Sequence, residues 1–184
     1  MLPVSQPASP ELLNRFRGGD GEAFAELYRR HSPGVFRFAL YMTGDAGRAE
    51  EVTQDVFVWL VHHPAGFDAN RGELGAYLAG VARKILQRRQ RNERRWAPIG
   101  ETPAEAAPRG EAAAEAAMLR AAIAALPPRY RQVIALCDLE GFSYEEASAA
   151  LEVAPGTVRS RLHRARAFLG KKLNPKKEAC ACRT

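Results

Sequence analysis

Phe142-Ser143-Tyr144-Glu145-Glu146-Ala147-Ser148-Ala149-Ala150-Leu151-Glu152-Val153-Ala154-Pro155-Gly156-Thr157-Val158-Arg159-Ser160-Arg161-Leu162 is the most informative stretch of the chain. Ser143 and Glu146 fit a capping box, in which the serine hydroxyl takes the amide of the third helical residue and the glutamate returns to the serine amide. Ala147 is small enough for a second helix to cross closely. Pro155 stops the first helix and suits the opening turn of the next, where its missing N–H is no loss. The second helix divides into two faces. Val158, Leu162, Ala165 and Leu169 recur at spacings of four, three and four, which puts them on one buried stripe. Arg159, Ser160, His163 and Arg164 lie on another face. From Arg159 to Lys172 there are six basic residues and no acidic one. A capped helix, a short turn and a cationic second helix make a helix-turn-helix, whose second member enters a major groove. There arginine pairs with guanine N7 and O6, serine donates or accepts, and further cations hold phosphates.

Outward from this motif the helical spacing continues and strand signals are poor, so the class is all-α. Helices are expected over about Pro10–Arg17, from Asp20-Gly21 through Phe24, Leu27 and Tyr28, and on through Val35, Phe36, Ala39 and Leu40 to Thr43-Gly44. Ser32-Pro33 is expected to interrupt or restart this second helix. Val52, Val56, Trp59 and Leu60 mark a further helix, its apolar members packed inward. Leu74, Tyr77, Leu78, Val81, Ile85 and Leu86 mark the inner face of another, over about Leu74–Arg95. Residues 96–112 hold Pro98, Pro103, Pro108, Gly100 and Gly110, a composition that prevents a continuous helix and reads as a flexible linker. An alanine-rich helix then leads to Leu126-Pro127-Pro128, followed by helices over about Arg129–Glu140, Tyr144–Leu151 and Pro155–Leu173. The chain thus divides into a disordered N-terminus (1–9), a first domain (10–95), the linker (96–112), a second domain (113–173) and a disordered tail (174–184).

Charge follows this division. The net charge of +6 comprises +3 over residues 1–95, −2 over 96–112 and +5 over 113–184. Basic ends suit a polyanion, because each neutralised phosphate releases a counterion. The three cysteines, Cys137, Cys180 and Cys182, form no disulfide framework. The start of the sequence lacks a basic lead and apolar core, and no apolar run is long enough to span a bilayer. A bacterial cytoplasmic protein without membrane insertion is the expectation.

Leu126-Pro127-Pro128-Arg129-Tyr130-Arg131-Gln132-Val133, Gly141 through Ala147, and Pro155 through Arg166 together resemble region four of the sigma-70 family, most closely the extracytoplasmic-function group. The resemblance implies two small helical domains, a region 2 bundle and a region 4 helix-turn-helix, in a promoter-specificity subunit of RNA polymerase. It implies that Arg159, Ser160, His163 and Arg164 face the bases of the −35 element and that Thr157 and Arg161 anchor phosphates. Ala46 through Leu60 is similar to the family's polymerase-binding helix, with Glu51, Gln54 and Asp55 as the best-matching positions. Seven basic residues crowd 83–95. By resemblance this helix, with Arg83, Lys84 and Arg88, meets the −10 element, and the glycine-rich loop before it, including Asn70, holds an extruded base. Phe67 and Tyr77, the aromatics between His63 and Arg95, are the available stacking partners. The family often has tryptophan where Tyr77 stands. Implied partners are core RNA polymerase, double-stranded promoter DNA, the single-stranded −10 region and an anti-sigma factor. The alternative is a free-standing helix-turn-helix regulator.

Chemistry is not expected. The four histidines, His31, His62, His63 and His163, form no spaced ligand set. No Walker loop, dinucleotide motif or nucleophile elbow is present. No enzyme activity, cofactor or metal site follows, although Cys180 and Cys182, with one residue between them, are a candidate pair for a soft metal ion.

Overall fold

The computed structural model describes residues 9–69, 72–96 and 111–173. Every regular element among them is helical: α1 (Pro10–Arg17), α2 (Gly21–Thr43), α3 (Ala46–His62), α4 (Leu74–Trp96), α5 (Glu111–Ala124), α6 (Pro128–Val133), α7 (Tyr144–Leu151) and α8 (Pro155–Leu173). Local chemistry sets the boundaries. The Asp20 carboxylate accepts from the amides of Glu22 and Ala23 and starts α2. Gly44, at φ 72°, ends it in a left-handed turn. Asp45 caps α3 through the Arg48 amide at 2.7 Å. Both halves of the Ser143–Glu146 capping box are formed, at 3.2 and 2.7 Å.

Two boundaries differ from the sequence expectation. Pro33 does not interrupt α2, which runs unbroken through it. Proline costs a helix interior about 3 kcal/mol, but Leu27 and His31 before it and Val35 and Phe38 after it are all buried on the same face. Packing on both sides outweighs the lost backbone bond. The helix expected over Arg129–Glu140 starts at Pro128 and changes midway into a π-helical stretch, Ile134–Leu139. There the Glu140 amide reaches back five residues to the Ala135 carbonyl at 3.0 Å. The wider turn keeps Ile134, Ala135 and Leu136 buried while Glu140 faces α2.

The N-terminal helices α1–α4 pack around α2, and α5–α8 pack around the α6/π segment and α8. These two groups share one continuous buried core. Helix α4 lies along α7, and α2 touches α5, α6 and the π segment. Two glycines permit that approach. A Cβ at Gly80 would sit 3.2 Å from the Ala150 carbonyl oxygen, and one at Gly75 would sit 3.5 Å from the Phe142 ring. Polar links fasten the same seam. Arg37 donates twice to the Glu140 carboxylate, at 2.7 and 2.6 Å. Arg131 donates to the Met42 carbonyl at the end of α2, at 3.1 Å. Arg83 donates to the Ala150 carbonyl at 3.1 Å and to Glu152 at 2.7 Å. Glu152 ends α7 in the left-handed region at φ 56°, a conformation that costs a side-chain-bearing residue about 1 kcal/mol relative to glycine.

The expected linker falls almost wholly outside the described residues, which include only its edges at Trp96 and Glu111-Ala112. The expected disordered tail, with Cys180 and Cys182, and residues 1–8 also lie outside them.

Candidate nucleic-acid and partner interfaces

Val158, Leu162 and Ala165 are buried under α8 and Leu169 packs at their edge, so the opposite face of this helix meets solvent. Arg159, Ser160, His163 and Arg164 are exposed there, and Thr157 and Arg161 flank them half-buried. The structure separates the four exposed residues more finely than their grouping in the sequence. Arg159 lies over the Tyr144 ring of α7, 5.7 Å from its centroid. Arg164 leans the other way and hydrogen-bonds the Tyr130 hydroxyl. That bond, with the nearby Arg129 charge, holds the phenol below its ordinary value. The two arginines are five positions apart, about 140° around a helix axis. Ser160 and His163 form the crest between them, and the Ser160 hydroxyl donates to the Thr157 carbonyl at 3.0 Å. Arg166 is turned to structure: it clasps Asp138 of the π segment at 3.1 and 2.5 Å. A cationic helix with a polar crest and arginines on both shoulders fits a major groove.

The second basic surface is at α4. Phe67 is buried and Tyr77 half-buried, their ring centroids 5.4 Å apart. Trp59, outside the sequence window that singled out those two aromatics, joins them at 5.8 Å from Tyr77 and stacks on His63 at 4.3 Å. The signal was the i, i+4 spacing of Trp59 and His63 at the end of α3. Burial raises the Tyr77 hydroxyl above its usual value. A Cβ at Gly66 would come within 2.7 Å of the Tyr77 oxygen and 3.1 Å of the His63 carbonyl oxygen, so any side chain there would displace the ring. These aromatics line a cavity of about 620 Å³ together with Lys84 and Arg88 of α4, Glu145 of α7 and Glu152 at the α7 C-cap. Lys84 and Arg88 are exposed. Arg83 is not, and its guanidinium is committed to α7. Asn70 lies outside the described residues.

A third surface runs along α3. Glu51, Gln54 and Asp55 are exposed. Arg89 of α4 bridges Glu51 and Asp55, at 2.7 Å to each. Not all apolar members of α3 pack inward: Val58 is 56% exposed, and Val61, further along the helix, is 48% exposed. Seventeen residues of helix cannot bury every valine on one stripe, and Val58 follows Glu51 and Asp55 at helical spacing. An acidic strip continued by exposed valines is suited to another protein rather than to DNA.

Cys137 is half-buried in the π segment, and burial, aided by Asp138, pushes its thiol up to about 11, so it is no ready thiolate. Among the described residues, no cluster of three or more histidine, cysteine or carboxylate side chains is placed to hold a metal. No described helix is long and apolar enough to cross a membrane.

Comparison with known proteins gives matches to both halves. Residues 27–96 match the model described as Sigma-70 region 2, and residues 116–169 match the model described as Sigma-70, region 4. Among curated relatives, the ECF RNA polymerase sigma factor SigE of Mycolicibacterium smegmatis is 36% identical over 77% of this chain and 58% of its own length. The ECF RNA polymerase sigma factor SigL of Mycobacterium tuberculosis is 32% identical over 74% of this chain and 81% of its own. Among solved structures, CnrH in complex with the cytosolic domain of CnrY is similar with a TM-score of 0.70 and 26% identity, covering 90% of this chain and 97% of that one.

Proposed function

The chain belongs to the sigma-70 family, in its extracytoplasmic-function group, and is an RNA polymerase sigma factor; from that premise we propose which of its surfaces do the work. Residues 10–95 act as region 2 and residues 113–173 as region 4. Arg159, Ser160, His163 and Arg164 read the −35 element, with Thr157 and Arg161 on phosphates. Phe67, Asn70, Tyr77, Arg83, Lys84 and Arg88 serve the −10 element, with Trp59 as a further aromatic wall. Glu51, Gln54 and Asp55, extended by Val58 and Val61, dock on core RNA polymerase. The protein works where that polymerase does, in the bacterial cytoplasm.

The observation that carries this reading is the presence, in one chain, of an exposed cationic recognition helix and a separate acidic and apolar helix face. One binds duplex and the other binds the enzyme. The direct test is reconstitution. Purified chain added to core polymerase should form a complex and start transcripts from a restricted set of templates. A free-standing regulator would form no such complex, and that result would end the proposal.

CnrH is solved with the cytosolic domain of another protein. We propose a partner of that kind, an anti-sigma protein, for this chain. Its natural target is the set of surfaces that polymerase and promoter use.

Two substitutions separate the surfaces. Arg159→Ala should lower discrimination at −35-dependent promoters by about 1–3 kcal/mol, the usual worth of one bidentate base contact. Pull-down of core polymerase should be unchanged, and lost pull-down would refute the assignment. Asp55→Lys should weaken core binding about tenfold or more, because it reverses the charge of the docking strip and sets a lysine beside Arg89. Its duplex binding should stay within twofold of the parent, as measured by fluorescence anisotropy (roughly 0.4 kcal/mol, within the usual spread for a surface substitution).

A further inference from the structure

The basic end of α4 is exposed at Lys84 and Arg88, but it is not free of partners. Its first two cations are already held by an anion of the other half of the chain. Glu152 places one carboxylate oxygen 2.7 Å from the Arg83 guanidinium and the other 2.6 Å from the Lys84 ammonium. A phosphate offers two non-bridging oxygens to two cations in the same way. Arg83 is fixed further by the Ala150 carbonyl, the last turn of the same helix. Beyond Glu152, Glu145 and Glu146 line the same cavity as the aromatic residues. A nucleic-acid strand entering there would meet carboxylates.

The position of Glu152 is itself informative. It caps α7 in the left-handed region, where glycine is the favoured residue. Among the described residues it is the only non-glycine with a positive φ. A glutamate there gains nothing from its backbone. What it contributes is the carboxylate, and the two cations hold that carboxylate ionised, below its usual range, Lys84 more than Arg83.

We infer that Glu152 is an intrachain substitute for a DNA phosphate, occupying Arg83 and Lys84 in this closed arrangement and keeping the α4 surface from single-stranded DNA until the two halves part. This rests on reading the α4 surface as the −10 contact. Lys84 and Glu152 are both more than half exposed, so the contact is weak enough to be exchanged. It is screened by salt like any surface pair. The restraint is therefore a competition, set against phosphate for the same two cations.

The test uses the full chain and a short labelled single-stranded DNA of mixed sequence, followed by fluorescence anisotropy. Glu152→Gln and Glu152→Gly should each bind about three- to tenfold tighter than the parent at low salt. The glycine variant also relieves the left-handed residue, so misfolding cannot account for its behaviour. The gain should shrink as salt rises. Glu145→Gln makes the same charge change on the same helix without touching either cation, and it should give a clearly smaller gain. Adding Lys84→Ala to Glu152→Gln should remove most of the gain. If both Glu152 variants match the parent or Glu145→Gln, while Lys84→Ala still weakens binding, the inference fails and the −10 assignment stands. If Lys84→Ala and Arg83→Ala change nothing either, the −10 assignment fails with it.

Discussion

Leucine at Gly80 is expected to part the two halves of the molecule while leaving each half folded. The wall facing Gly80 is backbone: a Cβ would lie 3.2 Å from the Ala150 carbonyl oxygen and 3.5 Å from its Cα. Alanine would fit only tightly. Leucine adds three further carbons where no rotamer change can clear them. Overpacking of this kind costs about 1–3 kcal/mol, more where the wall cannot move. Arg83 lies one turn along α4, and its bond to the same Ala150 carbonyl would be lost with the contact. Each half keeps its own buried set: Leu27, Phe38, Val52, Val56, Leu60 and Leu78 on one side, Val133, Leu151, Val158 and Leu162 on the other. Small-angle scattering should show a radius of gyration several Å above the roughly 16 Å of a compact chain of this length. Circular dichroism should show the helix content of the parent. A Gly80→Leu protein that stays compact would show that the seam tolerates the side chain. One that loses helicity would show that the halves do not fold apart. The opened protein should also bind single-stranded DNA more tightly, since Arg83 and Lys84 are released together.

The second large effect is a loss of stability on mild acidification, traced to His31. This histidine is 2% exposed on α2, beneath Gly75 and Phe142, and neither ring nitrogen has a hydrogen-bond partner. Burial, with a smaller contribution from the Arg30 charge, lowers its pKa from 6.5 to about 4. Arg37 and Glu140 neutralise each other nearby, so no free anion stabilises a protonated ring. The folded state therefore stays neutral over a range in which the unfolded or opened chain takes up a proton. Stability is fully present above pH 6.5 and falls as pH drops from there to about 4. The whole loss is about 3 kcal/mol. Denaturant titrations at pH 7 and pH 5, above most carboxylate titration, should show more than half of it. His31→Leu should flatten that dependence. It should also be no less stable than the parent at pH 7, because two unsatisfied buried nitrogens are removed. A parent protein equally stable at both pH values, or a leucine variant just as acid-sensitive, would exclude His31 as the cause.

Much of this molecule is written in local chemistry. The capping box at Ser143–Glu146, the turn at Gly44 and the stripe of Val158, Leu162 and Ala165 each depend on residues within a few positions of one another. They fix helix ends and faces before any tertiary contact forms, and the resemblance to sigma regions 2 and 4 rests on such segments. The exposed positions on α8 and α3 follow from the same periodicity. Where local rules misled, long-range packing had overruled them. Pro33 sits inside α2 because buried neighbours on both sides hold the helix. The π turn at Ile134–Leu139 widens because three of its residues are buried. Val58 is turned outward because helix α3 has more apolar residues than one buried face can hold.

From its sequence alone the chain determined that it is all-helical, that one helix is cationic and outward-facing, and that another presents an acidic face. Those properties come from spacings of three and four residues and from charges on single helices. Only the tertiary structure decided that Gly75 and Gly80 receive Phe142 and Ala150, that Glu140 finds Arg37, and that Glu152 reaches Arg83 and Lys84. These partners lie about 70 to 100 positions apart in the chain. No periodicity carries information over such a separation. It is set by how two helical groups fit, and that fit depends on missing side chains at two glycines as much as on the charges placed beside them.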